Sequence, residues 1–411
     1  LSVITRQPMN ALERRTVSAL ALLYSFRMLG LFMVLPLLAV YATELRGASP
    51  ALIGLALGIY GLSQALLQIP LGWLSDRIGR RPVIVGGLLL FALGSLVAGM
   101  AESLPGVILG RALQGAGAIA GTVMALVADQ TRDEQRTKAM AIVGASIGLA
   151  FTLALVIGPL VAAWGGLSAV FYLTVALALG GIAVVLFVVP TSAPAREHNE
   201  VGARGNLILR SLADPELLRL NAGVFILHFT LMAAFLVIPG VLEGALAMAR
   251  ESHWQVYLAV VLLSLLGVVP LMRWAERGAR PRAAFAVGLM LLSLALSLLV
   301  APPRGLLVWL GLWLFFIGFN YLEATLPSLV SKAVSPRGRG TALGLYSTCQ
   351  FLGAFAGGAA GGVLLQWWGA HALLLLCLAL VLGWLLLALP RMAYASGVHA
   401  LEGAEGEMPH P

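Results

Sequence analysis

Four ionisable side chains stand inside long apolar runs: Arg27, Arg111, His228 and Glu323. Glu323 is the one carboxylate well inside such a run. It shares a helical face with Phe316, Asn320 and Pro327 at i, i+4, i+7 and i+11 spacing. A carboxyl far from water favours its neutral form, so it can take up and release a proton. Glu323 is therefore the first candidate for a coupled proton, with Arg27, Arg111 and His228 beside it. Two readings of Glu323 stand open: a proton carrier, or a permanently ionised group locked to a nearby base. His228 is either a titrating group or a histidine held by hydrogen bonds in the bundle. Uncharged polar groups accompany them. Tyr24 lies one turn before Arg27, Tyr60, Gln64 and Gln68 run down one face, and Gln114, Tyr346 and Gln350 sit on other runs. Such groups line a cavity or join helices by hydrogen bonds.

Other chemistries find no support. There is no H-E-x-x-H, no G-x-S-x-G and no P-loop lysine motif. Cys349 and Cys377 lie in apolar runs with no metal-ligand spacing. Neither an enzyme, a cofactor nor a metal site is expected.

The elements that carry these residues must be membrane-spanning helices. The 411 residues are 60% hydrophobic and 11% charged, against roughly 25% charged in a soluble domain, and the mean hydropathy is +0.95. The apolar runs are about 20 residues long, enough to cross a hydrocarbon core of ~30 Å as helices. Strands are excluded, because the runs lack period-2 alternation. Twelve spans are predicted: Val17–Thr43, Ala51–Leu74, Pro82–Met100, Leu104–Ala128, Ala139–Trp164, Ser168–Val189, Leu217–Leu242, Trp254–Met272, Ala283–Ala301, Gly305–Leu329, Thr341–Trp367 and Ala370–Leu389.

Basic residues divide sharply between the two edges. Of the 26 Lys and Arg, 21 fall on one edge, Arg46, Arg250 and Arg304 on the other, and Arg27 and Arg111 inside spans. The positive-inside rule then puts both termini in the cytoplasm of a bacterial cell, with the chain in its inner membrane. The net charge of +8 reflects this topology. No basic stripe interleaved with aromatics marks a nucleic-acid surface.

The chain also repeats. Arg136-Thr-Lys-Ala-Met-Ala before span 5 is echoed 203 residues later by Arg339-Gly-Thr-Ala-Leu-Gly before span 11, and Gly79-Arg-Arg-Pro by Gly278-Ala-Arg-Pro. A polar segment rich in Gly, Pro and Ala separates the copies. The expected organisation is a six-helix bundle over 1–190, a cytoplasmic linker over 191–216, a second six-helix bundle over 217–391 and a tail over 392–411. Tandem repeats of this kind leave a substrate path between the halves.

Between spans 2 and 3 the chain reads Gly72-Trp-Leu-Ser-Asp76-Arg77-Ile-Gly79-Arg80-Arg81-Pro. This resembles the G-x-L-x-D-R-x-G-R-R/K signature of the major facilitator superfamily. Gly110-Arg111-Ala-Leu-Gln114-Gly115 is similar to that family's R-x-x-Q-G motif. The Gly158-Pro159 pair in span 5 resembles its antiporter motif, with alanine at three glycine positions. The segment Phe26–Pro36 most resembles the YajR-like group of bacterial transporters, which is grouped with drug:proton antiporters. The resemblance implies an all-α fold of two pseudo-symmetric six-helix bundles. It implies that Gly72 admits a close helix, Gly79 permits the turn, Asp76 meets the start of span 11, and Asp129 holds Arg80. It implies a monomer that exchanges an amphipathic organic solute for protons across the lipid bilayer. A symporter or uniporter for a small metabolite, and a membrane sensor that moves nothing, are the alternatives.

Overall fold

The computed structural model describes residues 8–190, 213–277, 280–302, 304–334 and 338–405. Most of the expected linker therefore lies outside the described residues. Among them the chain is helical throughout, apart from loops and one isolated bridge between Arg46 and Ser103. Span 1 comprises Ala11–Met33 and Leu35–Tyr41, span 2 is Pro50–Ile78, span 3 is Arg80–Gly99, and span 4 comprises Leu104–Ala116 and Ala120–Asp129. Spans 5 and 6 form one element, Asp133–Phe187, broken at Gly165 and Gly166. Spans 7 to 10 are Pro215–Leu246, His253–Arg277, Pro281–Val300 and Gly305–Ala333. Spans 11 and 12 form Arg339–Glu405, broken at Gly369, so the last helix continues past Leu389. A straight 55-residue helix would be ~80 Å long. The positive φ values of Gly166 (66°) and Gly369 (78°) instead turn each element back on itself. Span 1 then touches both arms of the first hairpin, with Ser25 near Ser146 and Phe26 near Gly180.

The repeat is visible in these bends. Gly166 and Gly369 stand 203 residues apart, as do the exposed Trp164 and Trp367 beside them and the kinking Pro36 and Pro239. Exposed tryptophans at span ends suit a membrane interface. Large side chains such as Leu66, Leu266, Leu306 and Leu386 point outward along the spans. In water they would be a liability; in lipid they are the solvent-facing surface. The chain is a multi-pass membrane protein.

The two halves meet along a seam of glycine. A Cβ on Gly54 would lie 2.2 Å from the Gly358 carbonyl oxygen, and one on Gly58 2.6 Å from that of Phe355. Spans 2 and 11 can therefore touch backbone to backbone only because these positions lack side chains. Gln68 Nε2 donates to Thr348 Oγ1 at 2.7 Å further along the same seam. On the edge opposite the arginines, one apolar core runs unbroken through the second half into Met33–Leu38, Ile53–Leu57 and Ala154–Ala162 of the first. Toward the basic edge the first half keeps a core of its own, built around Leu20, Leu23, Phe91 and Val123.

Past Gln68 the halves diverge. Among the described residues nothing comes within 4 Å of a Cβ built on Gly72, Gly144, Gly148, Gly340 or Gly344. Span 5 shows what the gap exposes. Its bundle face carries the buried Ala139, Val143, Ala150 and Ala154, while Ala141, Ala145 and Gly148 on the far side are exposed and Thr152 is half-buried. In this state no described residue packs against Gly72, the position expected to admit a neighbouring helix. Among the described residues the halves are closed together at the opposite edge and apart at the basic one.

Overpacking costs about 1–3 kcal/mol. Gly58→Val should therefore shift the ratio of this state to its alternative by between about fivefold and a hundredfold. Pulsed electron spin resonance between labels at Thr43 and Leu306 measures it. The opposite-edge distance is expected to lengthen in the variant.

Candidate functional site

Glu323, His228 and Gln350 come together from spans 10, 7 and 11. Gln350 Nε2 donates to Glu323 Oε1 at 3.0 Å and lies 2.9 Å from His228 Nε2. His228 Nδ1 is 3.2 Å from the Val224 carbonyl oxygen one turn back, so Nδ1 carries a proton and donates. In the neutral ring Nε2 is then an acceptor, which fits the Gln350 amide as donor to both neighbours. Glu323 Oε2 stands 3.7 Å from His228 Nε2 and has no hydrogen-bond partner. The Glu323 side chain as a whole is 34% exposed, while Oε2 itself is buried. The base beside Glu323 is thus a histidine, whose charge is conditional, rather than an arginine or lysine. Tyr346 is buried near this cluster. Asn320 lies one turn away and donates to Ser264 Oγ at 3.2 Å.

The first half holds cations instead. Arg111 is fully buried: Nε donates to the Ala56 carbonyl at 3.2 Å, Nη1 to Gln114 Oε1 at 2.8 Å, and its guanidinium lies 5.0 Å from the centre of the Tyr60 ring. Gln114 Nε2 donates on to Ser95 Oγ at 2.7 Å. Arg27 is also fully buried. Its Nη2 donates to Gln64 Oε1 at 2.8 Å and to the Gly117 carbonyl at 3.1 Å. Span 4, expected as one helix, breaks between Ala116 and Ala120, and within that break the Gly117 carbonyl accepts from both Arg27 and the Ile119 N–H, the latter at 2.9 Å. Gly117 allows the break, since a Cβ there would meet the Gly87 carbonyl oxygen at 2.2 Å. Tyr24 is buried one turn before Arg27.

At the basic edge, Gly79 takes φ of 98° and turns span 2 into span 3. Arg80 pairs with Asp76, and its Nε donates to Asp129 Oδ2 at 3.1 Å. Arg81 Nη2 donates to the Val185 and Leu186 carbonyls at the end of span 6, at 2.6 and 3.0 Å. Such donors satisfy carbonyls that a helix end leaves unpaired. Arg77 lies 3.6 Å from the centre of the Trp73 ring. The expected meeting of Asp76 with the start of span 11, near Gly338–Thr341, adjoins residues 335–337, which lie outside the described residues; of the described part, Gly340 has nothing within 4 Å of a built Cβ.

Gly158 and Pro159 sit at the other edge. A Cβ on Gly158 would lie 2.9 Å from the Met33 carbonyl, so spans 5 and 1 pack closely where span 1 is itself broken. Pro159 borders a cleft with Tyr41, Arg250, His253 and Tyr257 of both halves. A charged clasp closes this edge: Arg250 Nη1 donates to Glu44 Oε1 at 2.6 Å, and the guanidinium lies 5.0 Å from the centre of the Tyr41 ring. The hydrogen bond to Glu44 raises Arg250 above its ordinary value, so it stays ionised. Sequence reasoning missed this pair. The signal was available: Glu44 and Arg250 occupy matching loops of the repeat and are opposite charges on the edge with few charges.

The Major Facilitator Superfamily model matches residues 20–358. The chain belongs to the major facilitator superfamily. It is 49% identical to the inner membrane transport protein YajR of Escherichia coli (strain K12), over 85% of this chain and 77% of that one. It is 27% identical to the multidrug resistance protein MdtH of Aeromonas hydrophila, over 82% and 84%. Among solved structures, an inward-facing, occupied bacterial homologue of the human lysosomal transporter Spinster superposes with a TM-score of 0.71. At 17% identity, covering 95% of this chain and 98% of that one, it shares the fold.

Within this superfamily fold the Glu44–Arg250 clasp joins the halves at one edge only. Exposed pairs are worth about 0.2–1 kcal/mol. Glu44→Gln should therefore lower the population closed at that edge by at most about fivefold at low salt. At high salt the difference should shrink, because the pair is screened. Cysteine accessibility in the Pro159 cleft checks both outcomes.

Proposed function

We propose that this transporter exports an amphipathic organic solute in exchange for protons by alternating access, from the inner membrane of a bacterium, as a monomer. The observation that carries this reading is the Glu323–Gln350–His228 cluster. A carboxylate, an amide and a histidine lie in hydrogen-bonding sequence on three different spans, at a depth where no Lys or Arg is described as partner to Glu323. With Glu323 deprotonated, a protonated His228 balances it. With Glu323 protonated, His228 can be neutral and the cluster stays uncharged. These two forms hold the same single proton and are both uncharged, so the cluster keeps a loaded proton without stranding a charge; releasing it leaves the Glu323 carboxylate held by the Gln350 amide beside a neutral His228. Gln350 lies on span 11, the helix of the glycine seam, so a change at the cluster acts on the element that joins the halves.

The orientation proposed is the one demanded by the arginine bias, with the open edge and the Asp76 loop facing the cytoplasm. The cavity then receives cargo from inside. Asp76, Arg80 and Asp129 act as the latch of the basic edge when the halves swing the other way. The domain division at 190 and 217 follows the repeat. YajR is named for transport in the inner membrane and MdtH for multidrug resistance, and these names support location and cargo class.

The test is flux in proteoliposomes under an imposed pH gradient, screened over a library of organic cations, anions and neutral amphiphiles. Wild type should move at least one class against its gradient. Glu323→Gln should abolish gradient-driven movement while cargo binding is kept. Full driven transport by Glu323→Gln would remove the carboxylate from the mechanism. Labelling of Ile78→Cys from the outside of intact cells would reverse the orientation.

A further inference from the structure

We propose that Arg27, Tyr60 and Gln64 form a receptor for an anionic group, foremost a carboxylate, carried by the cargo. This rests on the transport reading above and adds the charge of the solute to it.

The argument is an excess of donors. Arg27 has no exposed surface, and its Nε and Nη1 have no hydrogen-bond partner. Nε carries one N–H and Nη1 two, so three of the five guanidinium donors are unused. Tyr60 Oη and Gln64 Nε2 are buried and equally without partners. The acceptors present, Gln64 Oε1 and the Gly117 carbonyl, are both taken by Nη2. No carboxylate is described in contact with Arg27. A buried cation is costly without a counter-charge, and leftover donors add to the cost. What this cluster lacks is an anion with several acceptor lone pairs, and a carboxylate supplies both.

Arg111 shows that burial alone does not produce the deficit. It lies in the same half, also fully buried, yet its Nε and Nη1 donate to Ala56 and Gln114, and Gln114 is anchored in turn by Ser95. None of its nitrogens is stranded. Arg111 is built into the bundle. Arg27 is held at one nitrogen and left open at the others.

The surroundings define the rest of the ligand. The Arg27 guanidinium lies 5.7 Å from the centre of the Phe91 ring, and the Tyr60 ring lies 6.4 Å from that of Phe351. These faces suit an aromatic or aliphatic body attached to the carboxylate. Phe351 belongs to span 11 of the other half, yet it packs on the core that holds Tyr24, Tyr60 and Phe91. Its neighbour Gln350 bonds Glu323. The side chain that covers the anion receptor is therefore adjacent to the one that holds the titratable carboxyl. Movement of span 11 uncovers the first as it rearranges the second.

The experiment is equilibrium binding to the full-length protein in nanodiscs, without a gradient. The probes are matched aryl carboxylates and their uncharged amides: benzoate, 2-naphthoate and biphenyl-4-carboxylate with benzamide, 2-naphthamide and biphenyl-4-carboxamide. At least one carboxylate should bind about tenfold or more tightly than its amide, as charge-assisted bonds require. Arg27→Gln should erase that preference and leave amide binding unchanged, and Arg27→Lys should restore part of it. Should Arg27→Gln fail to fold, Tyr60→Phe removes a single donor and should weaken the carboxylate alone. Equal binding of acid and amide in wild type, or a preference that survives Arg27→Gln, overturns the proposal. Chloride that competes stoichiometrically while acids and amides bind alike identifies a free-halide site and also overturns it. Because no flux is measured, a chain that transports but ignores the carboxylate sinks only this receptor. One that binds the carboxylate but moves nothing sinks only the transport reading.

Discussion

A charge placed among twelve apolar helices must find a hydrogen-bond partner, a counter-charge or water, and the arrangement of the polar interior follows from that constraint. Two arginines occupy the first half and a single carboxylate the second. They do not neutralise one another. Arg111 is paid off locally by a carbonyl and a glutamine, which fixes spans 2, 3 and 4 as one unit. Arg27 is satisfied only in part, by Gln64 and by the Gly117 carbonyl within the break in span 4. Glu323 leans on an amide and a histidine. Each half thus holds an ionisable group that its own bundle does not fully settle, and span 11 supplies Gln350 to one and packs Phe351 on Tyr60 beside the other.

Span 11 can serve both because of the glycine seam. Gly54, Gly58 and Gly61 let span 2 lie directly on the backbone of Gly358, Phe355 and Phe351. On its other side, Gly353 and Gly357 admit the backbone of Phe225 and Phe229 from span 7. Packing this close tolerates two discrete arrangements better than gradual distortion. In the one observed, the Glu44–Arg250 clasp and a shared apolar core hold one edge, and the gap at the other exposes the small-residue face of span 5.

Much of this was legible beforehand. Span number and hairpin order follow from run length and from the spacing of polar loops, and the repeat from Arg136 and Arg339. The Asp76–Arg80–Asp129 triad was readable because the motif names residue types at a fixed turn. Four features were hidden, each for a physical reason. The break in span 4 was masked because Gly117 sits in a run of mostly small residues, Gly115 to Gly121, where glycine reads as a packing residue. The clasp depends on contact between residues 206 apart, visible only once the repeat is folded. The pairing of Glu323 with His228 depends on the rotation of spans 7 and 10 about their axes, which runs apolar on all sides do not encode. Glu13, buried at the basic edge and bonded to Arg132, was missed because it reads as an ordinary capping residue.

The central claim is that Glu323 gains and loses a proton while His228 and Gln350 hold it. Difference infrared spectroscopy of the protein in lipid, recorded as pH is stepped, detects this directly. The account predicts a carboxylic acid carbonyl band that grows and fades with pH, disappears in Glu323→Gln, and shifts in frequency in Gln350→Leu. The absence of any such band in wild type, or its persistence in Glu323→Gln, would contradict it.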